Sequence, residues 1–302
     1  MNRDRLRRSV LYASASSPAN MAQAPLYRAD CLVYDLEDSV SVAEKDAARF
    51  LVFNALHRPR ISDSELVVRI NGLDTPFGLQ DLEAIVRAKP DLIRLPKCES
   101  PETVRKTCEE ISRIERESGI EEGSTGIMAI IETAFGLLNA RETALSSKRL
   151  VALSLGGEDF TASMKTTRTA KGAELYFARN AIALAARAAD IQAIDTAYSD
   201  INDEEGLIED TLAIKNIGYD GKIAIHPRQV ACINDVFTPT DKEIRHAIRV
   251  FEAIRAANAR NSGVIALDGK MVDAPVVARA RRTMAIARAT GKWDEGEEAD
   301  VE

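Results

Sequence analysis

The chain has little of what several common folds and functions require. Its 302 residues include four cysteines, Cys31, Cys98, Cys108 and Cys232, with no C-x-x-C and no histidine at ligand spacing. That excludes a disulfide-stapled scaffold and a zinc ribbon, and it reads as reduced packing residues of a cytoplasmic protein. No run approaches the roughly 20 apolar residues of a membrane span. The opening "MNRDRLRRSVLYASAS" sets arginines before small residues, but its apolar core "VLYA" is shorter than the about seven residues of a secretory signal. A basic excess is lacking too: the formal charge is −7, which leaves no electrostatic footprint for nucleic acid. No Gly-x-Gly-x-x-Gly follows the first strand-like run, where the chain reads "SASSPAN". A phosphate-cradling turn is therefore excluded, and Asp35 is not a ribose-binding acid.

What the chain does have is alternation. Eight β-rich runs recur: "SVLYA" (9–13), "CLVYDL" (31–36), "LVVRIN" (66–71), "LIRLPK" (92–97), "GIMAIIET" (126–133), "LVALSLGG" (150–157), "QAIDTAY" (192–198) and "KIAIHP" (222–227). Several are nearly continuous apolar runs, as expected of parallel strands covered on both faces. Helical stretches separate them, such as 100–118, where Ser100 is placed to cap and Pro101 to occupy the first turn. Eight such units without a Pro/Gly/Ser-rich linker predict an α/β fold, a TIM (β/α)8 barrel, over residues 1–238. An amphipathic helix over 240–261 opens a C-terminal helical extension, 239–292, and the acidic 293–302 is too poor in apolar surface to order.

Barrels of this kind carry chemistry where their strands end. The second run ends in Asp35, Glu37 and Asp38, the third in Arg69 and Asn71, the fourth in Lys97, the fifth in Glu132. The sixth ends in Gly156, Gly157, Glu158 and Asp159, the seventh in Asp195 or Ser199, and the eighth in His226. One mouth should collect them. Glu132 and Asp159 follow consecutive strands, about 4.8 Å apart, so their carboxylates can converge on a hard divalent cation. Mg²⁺ keeping several waters fits, with Asp35, Glu37 and Asp38 accepting from those waters. The alternative is that Glu132 and Asp159 each cap the following helix, and that Asp38 or Ser39 caps a helix starting near Val40.

Arg69 suits a substrate carboxylate or an enolate oxygen, or an ion pair to Glu37 or Asp38. The glycines of "LGGED" let backbone N–H groups face the mouth and grip a carboxylate. Lys97 would raise Schiff-base chemistry, except that five acids around it should raise its pKa. His226, before a proline, closes a loop more readily than it acts as a base.

Ten collinear blocks carry a resemblance. They include "RRSVLY", "DLEDSVSVAEKDAAR", "VVRINGLDTPFGLQDLEAIVRA", "IETAFGLLNA", "GGEDF", "SDINDEEG", "GYDGKIAIHPRQ" and "GVIALDGKMVDAPVVARA". Together they resemble the citrate lyase β subunit family, within the wider HpcH/HpaI aldolase and malyl-CoA lyase superfamily. Ala13 and Ser14 depart from the Pro-Gly pair frequent there, whereas "SSPANM" keeps a run typical of true β subunits.

The resemblance implies a Mg²⁺-dependent barrel, homotrimeric or homohexameric, that cleaves a citryl thioester to oxaloacetate and an acetyl thioester. The thioester would ride on CoA or on the CoA-like arm of an acyl-carrier protein, with an α transferase subunit completing the complex. Glu132 and Asp159 would be the metal ligands, and Arg69 would contact the substrate carbonyl. Glu132, Gly157 and Glu158 would bind substrate, and Ile225, His226, Pro227 and Arg228 would line the path of the arm. Asp273 would be an acid/base residue delivered to a neighbouring subunit. The related readings are a stand-alone malyl-CoA, citramalyl-CoA or β-methylmalyl-CoA lyase, a thioester hydrolase, and an inactive scaffold subunit.

Overall fold

The computed structural model describes residues 5–259 and 265–293; of the tail 293–302 that composition marks as unstructured, Trp293 is described and packs against apolar side chains of the helices Asp241–Ala259 and Ala274–Ala289, and 294–302 lie outside the described residues. The chain divides into two compact units, Met1–Asn234 and Asp235–Glu302.

In the first unit eight parallel strands close a barrel in sequence order. They are β1 (Ser9–Ser14), β2 (Cys31–Asp35), β3 (Glu65–Arg69), β4 (Leu92–Leu95), β5 (Gly126–Ile131), β6 (Leu150–Leu155), β7 (Gln192–Asp195) and β8 (Gly221–Ala224). Every one falls inside a run read as β from the sequence, or within a residue of it, because sustained apolar character reports burial on both faces. Closure comes from β8 against β1, with Ser9 opposite Lys222 and Leu11 opposite Ala224. Val10, Cys31, Val33, Val67, Leu92, Met128, Ala152, Ile194 and Ile223 fill the interior.

The helices follow in turn: α1 (Pro18–Gln23), α2 (Lys45–Leu56), α3 (Gly78–Arg87), α4 (Pro101–Glu117), α5 (Ala134–Leu138), α6 (Ala140–Ala144), α7 (Gly157–Ser163), α8 (Tyr176–Ala188), α9 (Glu204–Asn216) and α10 (Arg228–Phe237). Ser100 caps α4 as expected, its hydroxyl accepting from Thr103 N, with Pro101 in the first turn. The helix expected near Val40 starts later. A 3-10 turn, Val42–Glu44, leads into α2, and neither Asp38 nor Ser39 caps it. The Ser39 amide instead donates to Asp35.

A second correction concerns Asp195, which faces the helices and not the mouth. Fully buried, it accepts from Arg179 of α8 (3.0 and 2.9 Å) and from Lys222 of β8 (2.6 Å). Asp210 of α9 closes the square, 2.8 Å from Arg179 Nη1 and 2.6 Å from Lys222 Nζ. Burial alone would push the Asp210 carboxyl up, but Lys222 and then Arg179 outweigh it and hold it at about 2. The second unit stands on α11 (Asp241–Ala259), a two-stranded hairpin of β9 (Ala266–Leu267) and β10 (Lys270–Met271), and α12 (Ala274–Ala289). Ile244, Val250, Phe251, Val272, Met284 and Ala287 form its own core. Asp268 and Gly269 turn the hairpin, both with positive φ, the conformation a two-residue hairpin turn requires. Among the described residues no helix is long and apolar enough to cross a membrane, and the four cysteines are unbridged.

Asp210→Asn should cost on the order of 3–5 kcal/mol at neutral pH, because it leaves two buried cations sharing one carboxylate. A depressed carboxylate stabilises the fold above its unfolded pKa. The difference from wild type in urea unfolding should therefore hold down to about pH 4 and shrink as pH falls towards 2.

Candidate active site

Of the three carboxylates within four residues, Asp35 and Glu37 are buried and Asp38 is exposed, and two cations, Arg69 and Lys97, stand beside them. Asp35, the last residue of β2, lies in register with Arg69, the last of β3. Both point inward, and Arg69 grips Asp35 with two parallel bonds, Nε to Oδ1 at 2.6 Å and Nη2 to Oδ2 at 2.8 Å. The amides of Glu37 (3.0 Å) and Ser39 (3.3 Å) complete Asp35. Burial would raise the Asp35 carboxyl, but Arg69 outweighs it and the group is held below its ordinary range. Arg69 Nη1 reaches Asp38 at 3.2 Å and lies 2.9 Å from Glu37 Oε2, out of line for a hydrogen bond. Asp35 therefore holds Arg69 rather than a metal-bound water, and the Arg69 partner expected in Glu37 or Asp38 is first of all Asp35.

Lys97 sits 3.1 Å from Glu37. That hydrogen bond raises the lysine pKa, the direction that disfavours a neutral, Schiff-base-forming amine. Lys97 also takes the left-handed conformation, φ 47°, and its amide donates to Glu132 Oε2 at 2.6 Å. Glu132, one residue past β5, is buried. Desolvation, reinforced by the charges of Glu37 and Asp159, pushes its carboxyl up to about 7 against the pull of Lys97 N–H and Arg69.

The helix-capping alternative fails at both acids. Thr133 caps α5 through Gly136 N, and α7 starts after Gly156 with no side-chain cap, leaving Asp159 exposed in its first turn. Gly156 is required for space. A Cβ there would stand 2.4 Å from Glu132 Cγ and 2.8 Å from its Oε1.

Gly157 does not offer its amide to the mouth as expected, since it donates to Thr196 Oγ1 at 3.0 Å. Glu158 is exposed and lies 3.5 Å from Arg168. After β8, Ile225 is half exposed, Gln229 Oε1 accepts from the amides of Ile225 and His226, and His226 Nδ1 accepts from Arg228 N at 3.2 Å. His226 thus closes its loop as read, while Pro227 precedes α10 and Arg228 opens it. Asp273 caps α12, accepting from Val276 N at 3.1 Å, and it belongs to the second unit.

Strand-end position does not point to Tyr12, Arg94, Thr196 or Arg168, which the fold brings to the same region. Tyr12 is an inward residue of β1 whose ring lies under Arg69, 5.1 Å from the guanidinium carbon. Its hydroxyl accepts from Arg94 Nε at 2.6 Å, and Arg94, fully buried, also donates to Ser154 at 2.7 Å. Tyr12 and Arg94 alternate with apolar neighbours along their strands, a period-two signal that marks inward residues. Arg168 comes from an irregular loop and gives no such signal.

At this mouth five carboxylates, Asp35, Glu37, Asp38, Glu132 and Asp159, face Arg69 and Lys97. The surplus is negative and all its donors are oxygen. Among the described residues no three or more His, Cys, Asp or Glu side chains converge as a metal-binding group. This donor set fits Mg²⁺, which binds through one or two carboxylates and keeps water or substrate oxygens in its remaining positions.

Residues 8–227 match the HpcH/HpaI aldolase/citrate lyase family. The citrate lyase subunit beta of Leuconostoc mesenteroides subsp. cremoris is 48% identical over 96% of both chains, and that of Escherichia coli K12 is 45% identical over the same share of each. Among solved structures, the CitE protein of Mycobacterium tuberculosis in complex with magnesium, acetoacetate and coenzyme A superposes with a TM-score of 0.76. It is 30% identical and covers 95% of this chain and 99% of its own.

In metal-free protein a buried Glu132 that titrates near 7 keeps a proton the unfolded chain has lost. Folding then takes up a proton, and stability falls as pH rises from the ordinary glutamate range through 7. Glu132→Gln keeps the acceptor for Lys97 N–H and removes the titration. In chelator-treated buffer it should gain on wild type by up to about 3 kcal/mol between about pH 5 and pH 8, read from chemical unfolding at each pH.

Proposed function

The chain belongs to the HpcH/HpaI aldolase/citrate lyase family, and from that premise we propose that it is a Mg²⁺-dependent carbon–carbon lyase that splits a citryl thioester into oxaloacetate and an acetyl thioester. The observation that carries the reading is Glu132: a buried carboxyl at a strand end, crowded by like charge and by Gly156, which gains most by ligating a cation. Glu132 and Asp159 would hold Mg²⁺. When bound, the ion supplies a Lewis acid that polarises the hydroxyl and carboxylate of the oxaloacetate half.

The chain's own groups do the rest. Cleavage breaks the bond between the hydroxyl-bearing carbon and the thioester's α-carbon. The hydroxyl gives its proton to the carboxylate of Asp273 of a neighbouring copy, and the electron pair of the broken carbon–carbon bond moves onto the thioester as an enolate. Arg69, a fixed cation aimed by Asp35 and backed by Tyr12, stabilises the enolate oxygen. To meet that oxygen Nη1 gives up its longest bond, to exposed Asp38. The enolate carbon takes its proton from Asp273 of a neighbouring copy, which requires an oligomer, a homotrimer or homohexamer. Gly157 shapes this side of the site through Thr196, and Glu158 stands at its edge. Ile225, His226, Pro227 and Arg228 line the approach of a CoA-like arm. The arm is carried by CoA or by an acyl-carrier protein, and an α transferase subunit would regenerate the citryl thioester.

Glu132→Gln and Asp159→Asn should each lower Mg²⁺ affinity at least tenfold in calorimetry and abolish cleavage; full turnover by either variant in chelator-treated buffer would disprove the metal assignment. Mass spectrometry of products should show oxaloacetate from a citryl thioester in preference to products from malyl or citramalyl thioesters. Release of free citrate instead would make the protein a hydrolase. Asp273→Asn and Arg69→Ala homo-oligomers should both be inactive, while their mixed oligomers regain a share of activity, because the two defects fall in different composite sites. Absence of rescue would mean that Asp273 does not act across subunits.

A further inference from the structure

A citryl thioester carries a carboxylate that a citramalyl thioester lacks, at the end of the CH₂ group that replaces a methyl. Oxaloacetate differs from pyruvate by the same group. Apolar shape complementarity separates such a pair weakly, whereas a buried cation left unpaired by the wrong substrate separates it strongly. The cations already placed at the mouth do not fill this role, because Arg69 and Lys97 are committed to Asp35, Glu37 and Asp38.

Arg168 is differently placed. It lies on the loop between α7 and α8, and its side chain is only 14% exposed. Yet Nε and Nη1 are buried without a hydrogen-bond partner. Its contacts are long: Nη2 to Ala197 O at 3.4 Å, Nε to Glu158 at 3.5 Å and to Glu174 at 3.9 Å. Glu174 does not turn to meet it, since both its oxygens already accept from Thr169, at 2.9 and 2.7 Å. Glu158 is 71% exposed and able to swing away. A guanidinium desolvated to this degree with two donors unused is costly unless an anion completes it.

Its position names the anion. A Cβ on Gly157 would fall 2.4 Å from Arg168 Nη1 and 2.7 Å from Thr196 Oγ1, just as a Cβ on Gly156 would strike Glu132. Two adjacent glycines therefore carry Glu132 on one side and Arg168 with Thr196 on the other, over the ends of β6 and β7. A substrate whose hydroxyl and carboxylate lie towards Glu132 and Asp159 would reach Arg168 with whatever extends from the same carbon. Planar, two-pronged pairing with a carboxylate is the geometry a guanidinium edge offers.

We propose that Arg168 binds the distal carboxylate of the oxaloacetate half and so sets the preference for citryl over citramalyl thioesters. The inference rests on the lyase reading above. A side chain at Gly157 would crowd Arg168 Nη1 and Thr196.

The test is binding of oxaloacetate and of pyruvate to the full-length protein with saturating Mg²⁺, by calorimetry, for wild type, Arg168→Gln and Arg168→Lys. Arg168→Gln should bind oxaloacetate about 10- to 100-fold more weakly, with pyruvate affinity changed less than threefold. Arg168→Lys should recover part of the loss. The ratio of kcat/KM for citryl against citramalyl thioester should fall in parallel. Pyruvate is the internal control for folding and for the metal site. Equal losses for both ligands, or none for oxaloacetate, overturn the role of Arg168 and leave the lyase reading standing. Wild type that binds neither ligand with Mg²⁺ overturns the lyase reading itself, and this inference with it.

Discussion

Ser9 with Lys222, Val10 with Ile223 and Leu11 with Ala224 are the backbone pairings that close the sheet. Without them the eight strands would form an open sheet with two edges, and the residues that end β2, β3, β5 and β6 would spread along a line. Closure bends that line into a ring. Asp35 and Arg69 then share a register position, Glu132 stands over Gly156, and a cluster of acids with few cations faces one mouth. The interior below is filled by apolar side chains, so the mouth is a floor with polar groups on it rather than a channel.

Two regimes of charge coexist in the barrel wall. On the helix side, Arg179, Lys222, Asp195 and Asp210 balance each other bond for bond. That square is stabilising only while all four members remain, and it has no capacity left for a ligand. At the mouth the balance is deliberately incomplete. Glu132 is held with one amide for a partner and surrounding negative charge, and its pKa rises accordingly. Arg168 is held with unused donors. An excess of anionic oxygen on one side of a glycine pair and an excess of guanidinium on the other suits a substrate that brings a metal-chelating end and a free carboxylate.

The cations also constrain the chemistry. The guanidinium groups of Arg69 and Arg94 both lie against the Tyr12 ring, 5.1 and 5.5 Å from its centre. This stacking and the two-pronged Asp35 pair fix Arg69 in orientation, as stabilising charge that develops at one oxygen requires. Lys97, by contrast, is tied to Glu37 and kept protonated. A neutral amine for carbonyl attack does not arise there, so the charge pattern points to metal-assisted enolate chemistry.

Much of this was legible from residue order. Continuous apolar runs mark strands buried on both faces, their eight repeats mark the barrel, and the polar residues that end them mark the mouth, because strand ends are where burial stops. Glu132, Asp159 and Arg69 follow from that logic. The direction in which a side chain leaves a strand does not: Asp195 ends β7 like the others but turns to Arg179 and Lys222. Loop residues are similarly hidden, and Arg168 reaches the mouth only because α7 and α8 bring its loop over Gly157. Local periodicity and strand-end chemistry determined the fold and the kind of site, since both are properties of neighbours in sequence. Tertiary structure alone decided which charges meet, because an ion pair across strands or loops depends on closure and on a few ångströms that residue spacing does not encode.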